Sequence, residues 1–364
     1  MSKQLGVVIF IVLALLGKAC APMPIPTRTS ATSNAPTLVA EVAPIAIPLA
    51  GTVTNARAEI SGMAWYGDHL ILLAQYPDFE KRRNIAPQAE PVLFALAKAD
   101  IIAVVEGTKK QDLVPQRVKV DDGDLIKRID ADGFNYQGYE ALVFVGNRVF
   151  VTIEAESKSN RNTMQAYLMA GDIAPDLSSV KFDSTKLTPI KSPAPINNLS
   201  QEAMLAVGDK LLTFYEANGA GVNKSPIASV FDQTTLALAG TLPFPNLDYR
   251  LTDVTPPDSA GKFWGISYEF PGDDASLQAP RVDALAKKFG QGSTHAKFPQ
   301  VERLVEFQYS DKGITFADRA PIQLTLINAD TARNWEAIAR LDQRGLLVMT
   351  DSFPSTILAF VPFN

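Results

Sequence analysis

The sequence predicts an all-β fold, a β-propeller of five blades (six if a further divergent unit is present) closed by an N-terminal strand that completes the last blade. Three observations carry this expectation. Five segments repeat one plan of acid, apolar strand, tight turn, apolar strand and polar or acidic residue. The runs between them have room for two more strands per unit, and a lone strand near the N-terminus supplies what the last unit lacks.

The units follow in order. The first runs from Glu59 to Trp65, turns at Gly67-Asp68 and continues from His69 to Gln75; the second runs Glu140–Val145, Gly146-Asn147, Arg148–Glu154. The third is Glu202–Val207, Gly208-Asp209, Lys210–Glu216, and the fourth Asp253–Pro257, Asp258 to Gly261, Lys262–Glu269. The fifth is Glu336–Leu341, Asp342 to Gly345, Leu346–Asp351. Gly, Asn and Asp at the turns supply the positive φ that tight hairpins need. The flanking runs are short, apolar and rich in β-branched or aromatic residues, as buried strands require. Such a hairpin is marginal alone, and radial repetition buries both of its faces.

Outer strands are expected at Leu93–Ala97 and Gln116–Val120, Gln165–Met169 and Leu187–Ile190, Ile227–Phe231 and Leu236–Leu242, and Leu304–Tyr309 and Ile322–Leu326. The fifth unit has only Thr356–Val361 before the chain reaches Asn364, so Ala43–Leu49 is assigned to close it. Two insertions read as short helices on loops, Asp100–Gly107 and Arg281–Phe289, the latter preceded by Pro280 and ended by Gly290. A pair of β-sandwiches is the other architecture considered, but it gives no reason for an acid at the same place in every unit.

The first forty residues stand apart. Lys3 precedes an unbroken apolar run, Gly6–Leu16, too short to span a bilayer comfortably and suited to a signal-peptide h-region. Cys20, the only cysteine, follows in a context that resembles a bacterial lipobox, with Ala19 at the small position, Gly17 where leucine is usual and Lys18 beside it. That resemblance implies lipidation of Cys20 and an exported protein held at a membrane or envelope with no spanning helix; cleavage of an ordinary signal peptide is the alternative. Residues 1–20 are therefore read as leader and lipobox, 21–42 as a Pro/Ser/Thr-rich tether and 43–364 as the propeller. A net charge of −5 with no basic stripe argues against nucleic acid as a partner, and a monomer is expected.

In a propeller the first strand of each blade lines the channel, so the acids that open it converge. The entering ring is Glu59, Glu140, Glu202, Asp253 and Glu336; the leaving ring is Gln75, Glu154, Glu216, Glu269 and Asp351. Partly desolvated carboxylates this close repel, which is relieved by a hard cation or by raised pKa values. Oxygen ligands suit Ca²⁺ better than zinc, since the chain has only two histidines and one cysteine. The structural alternative is that these acids cap strand ends and pair with Arg57, Arg250 and Arg333. Loops after the second strands carry Lys81, Arg82, Arg83, Lys158, Arg161 and Lys224, and Arg281 comes later; such a basic surround would suit a small anionic or ester ligand. Trp335, beside Glu336, is a further candidate for touching a ligand, while Trp65 and Trp264 are expected between blades. No G-x-S-x-G elbow, H-E-x-x-H, C-x-x-C or phosphate-binding glycine loop occurs. His69 is expected at a solvent-exposed turn on the far face, and His295 in a Gly/Ser/Thr loop.

The segments Glu59-Ile-Ser-Gly-Met-Ala and Asn334-Trp335-Glu336-Ala-Ile-Ala, with GDHLILLAQ and GDKLLTFYE after turns, resemble bacterial phytase-like (esterase-like) propellers over residues 45–364. The resemblance implies Ca²⁺ in the channel and phosphoester hydrolysis by metal-activated water, carried by the ring acids. Asp253 with its two following prolines, and Gln75 in the second ring, depart from that pattern. Two functions therefore stand side by side. One is an anchored propeller binding a ligand such as a glycan, peptide or envelope component at an acidic, Ca-loaded mouth. The other is a Ca-dependent esterase or phosphoesterase in which Glu154 or Glu216 orients or deprotonates water.

Overall fold

Each of the five hairpins forms where its turn residues place it. Ile60–Tyr66 pairs with His69–Ala74, Phe134–Val145 with Arg148–Ser157, and Gln201–Val207 with Lys210–Tyr215. Arg250–Val254 pairs with Lys262–Glu269, and Trp335–Leu341 with Gly345–Thr350. The first three turns reuse one conformation, with Gly67, Gly146 and Gly208 at φ of 55°, 58° and 57°. A side chain is strained at that φ, which is why glycine recurs there.

The structure, a computed structural model, describes residues 37–280 and 283–363. Third strands follow at Val92–Ala97, Met164–Ile173, Ile227–Asp232, Val301–Ser310 and Leu358–Pro362, each antiparallel to the second strand of its blade. Fourth strands are Gln116–Asp121 and Leu238–Pro243 in blades one and three. In blades two and four that position is split, between Ser179–Phe182 and Thr188–Lys191 and between Gly313–Phe316 and Ile322–Leu324. The outer edges of blades one and two join through a parallel pairing of Gln116–Asp121 with Ser179–Phe182.

The inner strands neighbour one another in a closed cycle. Ile60–Tyr66 lies against Phe134–Val145, then come Gln201–Val207, Arg250–Val254 and Trp335–Leu341, which returns to Ile60–Tyr66. The fold is a five-bladed propeller. Ile45–Ile47 supplies the outermost strand of blade five, with Leu358 opposite Ile47 and Phe360 opposite Ile45.

Order extends further toward the N-terminus than the tether reading allowed. Leu38–Val39 pairs with Gln291–Gly292 and Glu41–Val42 with Gln323–Leu324, so the end of the 21–42 segment is strand. The open edge of blade four accepts it. Cys20, the leader and the rest of the tether lie outside the described residues, as does Arg281.

Apolar side chains fill the space between blades. Ile71, Leu73, Val149 and Val151 pack between blades one and two, and Trp264, Trp335, Ile338 and Val348 between four and five. Trp65 packs beside the blade one–five core under Lys98. The first inserted helix is Lys98–Val105. The second is described at Ala284–Phe289, where Asp283 caps it by accepting from the Ala286 amide at 2.6 Å. Helix Leu125–Ala131 and the start of the second inner strand at Phe134, six residues before Glu140, were not legible as such.

Candidate functional site

Every inner strand is interrupted at the same depth by a β-bulge. The pairing skips between Ile60 and Gly62, between Tyr139 and Leu142, between Gln201 and Ala203, between Leu251 and Val254, and between Trp335 and Ala337. A bulge leaves a residue outside the ladder and re-aims its side chain. Here it turns Glu140, Glu202 and Glu336 toward the axis. Counted back from the turn, blade one carries Ser61 at this position, and Glu59 matches Asn334 two residues earlier. The entering ring is therefore out of register in blade one. Glu59 still reaches the cavity, from a backbone at φ 46°, which is strained for a residue other than glycine.

Two hydroxyls tie the ring together. Ser61 Oγ donates to the Tyr139 carbonyl at 2.6 Å, and Thr252 Oγ1 to the Trp335 carbonyl at 2.7 Å. Each carbonyl belongs to the residue preceding a ring glutamate of the next blade. Asp253 is turned away from any ligand role. Its two oxygens accept from the Ile338 and Val254 amides, both at 2.8 Å, and burial pushes its carboxyl well above the usual range despite those bonds.

The bulges and strand ends line a cavity of about 240 Å³. Carboxylates of Glu59, Glu140, Glu154, Glu202, Glu216, Glu336 and Asp351 line it. Gln75, Gln137, Asn198, Asn334, Ser61, Tyr76 and Arg250 fill the wall between them. Within it Glu140, Glu154 and Glu202 each offer an oxygen within 4.8 Å of the others, and all three are buried. Gln75 Nε2 donates to Glu140 Oε1 at 3.1 Å. Blade two fixes Gln75 in turn. The Tyr139 amide donates to its carbonyl at 2.9 Å, and a Cβ on Gly138 would stand 2.3 Å from its Cγ. Among the described residues Glu154 Oε1 and Glu216 Oε2 have no hydrogen-bond partner, although the residues are only 2% and 1% exposed.

The electrostatics follow from burial. Desolvation raises Glu154 to about 8, with the Glu216 charge adding to it. Glu216 is raised to about 7, because burial outweighs the Arg250 guanidinium beside it. Burial also holds Glu140, Glu202 and Glu336 well above the carboxylate range, reinforced by Glu154, Glu140 and Asp351 respectively. Glu59 is raised by burial and eased by Arg83. Arg250 is the one cation in the described wall, and it is engaged on both sides. Its Nη1 meets Glu216 Oε1 at 2.7 Å, while Nε and Nη2 hold the two oxygens of Asp273 at 2.8 and 3.1 Å.

Several expected site residues are placed elsewhere. Glu269 is buried but outside the cavity wall. Trp335 is fully buried and donates Nε1 to Glu302 Oε2 at 2.7 Å, so it cannot meet a ligand. Arg82 stacks 4.7 Å from the Tyr76 ring centre and bonds Asp78. Lys158 pairs with Asp130 and Arg161 with Glu156. Lys224 and Arg83 are exposed, and none of these five lines the cavity. Of the arginines expected to pair with ring acids, Arg250 does so, while Arg333 binds Glu302. His295 is buried at the N-terminal strand rather than over the mouth. The amides at Asn198 and Gln137 were missed, since neither sits at a repeating position; the Asn198 φ of 57° is a property of the fold.

No family model and no curated protein matches the chain. Similar solved structures include a GH43 enzyme from Xanthomonas citri, 10% identical, covering 88% of this chain and 91% of its own, with a TM-score of 0.47. A GH43 β-1,3-galactosidase bound to galactodeoxynojirimycin is 9% identical over 85% of this chain and 91% of its own, with a TM-score of 0.46. An exo-1,5-α-L-arabinanase from a bovine ruminal metagenomic library is 8% identical over 84% and 94%, with a TM-score of 0.45. At these values the likeness assigns neither a family nor an activity. The phytase-like resemblance has no family model behind it, and the chain's own topology carries the propeller.

Proposed function

We propose that this propeller binds a hard divalent cation, of the Ca²⁺ class, through Glu140, Glu154 and Glu202, and that the cation helps to hold a ligand in the cavity above it. One observation carries the reading: three buried carboxylates offer oxygens within 4.8 Å of one another, and Glu154 Oε1 has no partner among the described residues. An all-oxygen donor set with no histidine or cysteine suits Ca²⁺ rather than zinc. Glu154 thus moves from candidate base to candidate ligand, and Glu336 lies outside the close group. Export and anchoring through a lipidated Cys20 complete the proposal and place the ligand outside the cytoplasm.

A Ca-dependent esterase or phosphoesterase of the phytase-like type is the second reading. What favours it is Glu216, raised to about 7 and held by Arg250, with Oε2 unpartnered at the cavity wall. A carboxylate titrating there can accept a proton from water near neutral pH. The cation would supply charge stabilisation to a reacting oxygen; Arg250 and Asp273 keep Glu216 in place.

Metal analysis and calcium titration of the full-length protein test the first reading. It expects about one ion per chain, removed by chelator and lost in Glu202→Gln. A metal-free protein that takes up no calcium sinks it. Ester and phosphoester assays with and without chelator test the second, which fails if Glu216→Gln leaves any observed turnover unchanged.

A further inference from the structure

We infer that the ligand of this cavity is an uncharged, hydroxyl-rich molecule, a polyol or sugar, rather than a phosphate ester or another anion. The inference rests on the cation reading for one of its contacts and otherwise on the wall itself.

Charge decides against an anion. The described wall presents seven carboxylates and one guanidinium, and that guanidinium is fully engaged by Glu216 and Asp273. Of the loop cations expected to receive a phosphate, Arg82 pairs with Asp78, Lys158 with Asp130 and Arg161 with Glu156, and Arg83 and Lys224 do not line the cavity. A divalent cation among Glu140, Glu154 and Glu202 leaves that group net negative if all three are ionised. A phosphate placed there would face repulsion from the remaining acids, and the one guanidinium of the described wall is already engaged.

Hydroxyls match what the wall offers. A hydroxyl donates once and accepts twice. Glu154 Oε1 and Glu216 Oε2 are buried acceptors without donors, and burying an acceptor unmet is costly. Amide donors stand around them on Gln137, Asn198 and Asn334. Calcium takes six to eight oxygens, so three glutamates leave positions that a vicinal diol can fill. Among the described residues no aliphatic side chain lines the space and Tyr76 is the one aromatic ring, so a hydrophobic peptide finds no apolar wall.

The test is calorimetric titration of the full-length protein, calcium-loaded and chelator-treated, with neutral sugars and sugar alcohols, inorganic phosphate and spermidine. The inference expects saturable binding of at least one neutral polyol and none of phosphate. It expects Gln137→Ala to weaken that polyol about fivefold while calcium binding is unchanged. Gln137 is a partly exposed wall residue, so its truncation leaves the core intact. Binding of phosphate or spermidine in place of a polyol overturns the inference, as does the absence of binding by every polyol. Calcium uptake without polyol binding defeats the ligand class alone. Polyol binding without calcium uptake defeats the cation reading alone.

Discussion

Two sets of buried glutamates in this molecule meet opposite fates. At the N-terminal clasp, Glu41 Oε1 accepts from the Thr294 amide at 2.9 Å, the Thr294 hydroxyl at 2.7 Å and His295 Nδ1 at 2.9 Å. Burial alone would raise its carboxyl, but these hydrogen bonds together outweigh it and hold the group below the usual range. His295 Nε2 lies 3.2 Å from both the amide and the carbonyl of Glu302, and burial lowers the ring's pKa. Glu302, wholly buried, takes Arg333 at 2.7 Å and Trp335 Nε1 at 2.7 Å. In the channel, Glu140, Glu154 and Glu202 are as deeply buried but face mainly one another. Burial with donors makes a structural acid. Burial without them leaves a cost that only a ligand, or a proton, can offset.

Substitutions separate the two sets. The largest effect is expected at Glu302→Gln, which leaves Arg333 buried against a neutral partner and should cost about 3–5 kcal/mol. An unchanged urea midpoint would contradict that assignment. Glu41→Ala should cost about 1–3 kcal/mol, by opening the clasp between the N-terminal strands and the 291–296 loop, and is read the same way. Glu154→Gln should act in the other direction. Without calcium, at pH 8, it removes a misplaced charge and should stabilise the protein by about 1 kcal/mol; a loss comparable to Glu41→Ala would place Glu154 among the structural acids.

The pH dependence divides along the same line. Glu154 and Glu216 have folded pKa values of about 8 and about 7, above the ordinary carboxylate value. The folded state therefore binds more protons than the unfolded one through that interval. The channel acids' contribution to the stability of the chelator-treated protein should be fully present below the ordinary carboxylate pKa and be lost as pH rises through 7 to 8. Glu41 and His295 are lowered, so the clasp contributes above their unfolded values and weakens as pH falls through the folded ones. Melting temperatures across pH with and without calcium check this: calcium should flatten the loss on the alkaline side and leave the acid side unchanged.

The hairpins were legible because each turn carries its own signal, glycine at positive φ between apolar runs. The channel acids were legible because they recur at nearly fixed distances from those turns. The register of Glu59 was not, since a bulge leaves no mark in residue type and an acid two positions early looks equivalent. Trp335 and Arg333 were misread for a related reason. Their partner Glu302 comes from the third strand of the preceding blade, over thirty residues away in sequence. Asp253 could pass for a ligand until its neighbours' amides were in place.

Calcium titration of chelator-treated full-length protein and of Glu154→Gln, followed by calorimetry, tests the central claim most directly. The account predicts saturable binding to the first at about one ion per chain and its loss in the second. Equal binding by both, or binding by neither, would contradict it.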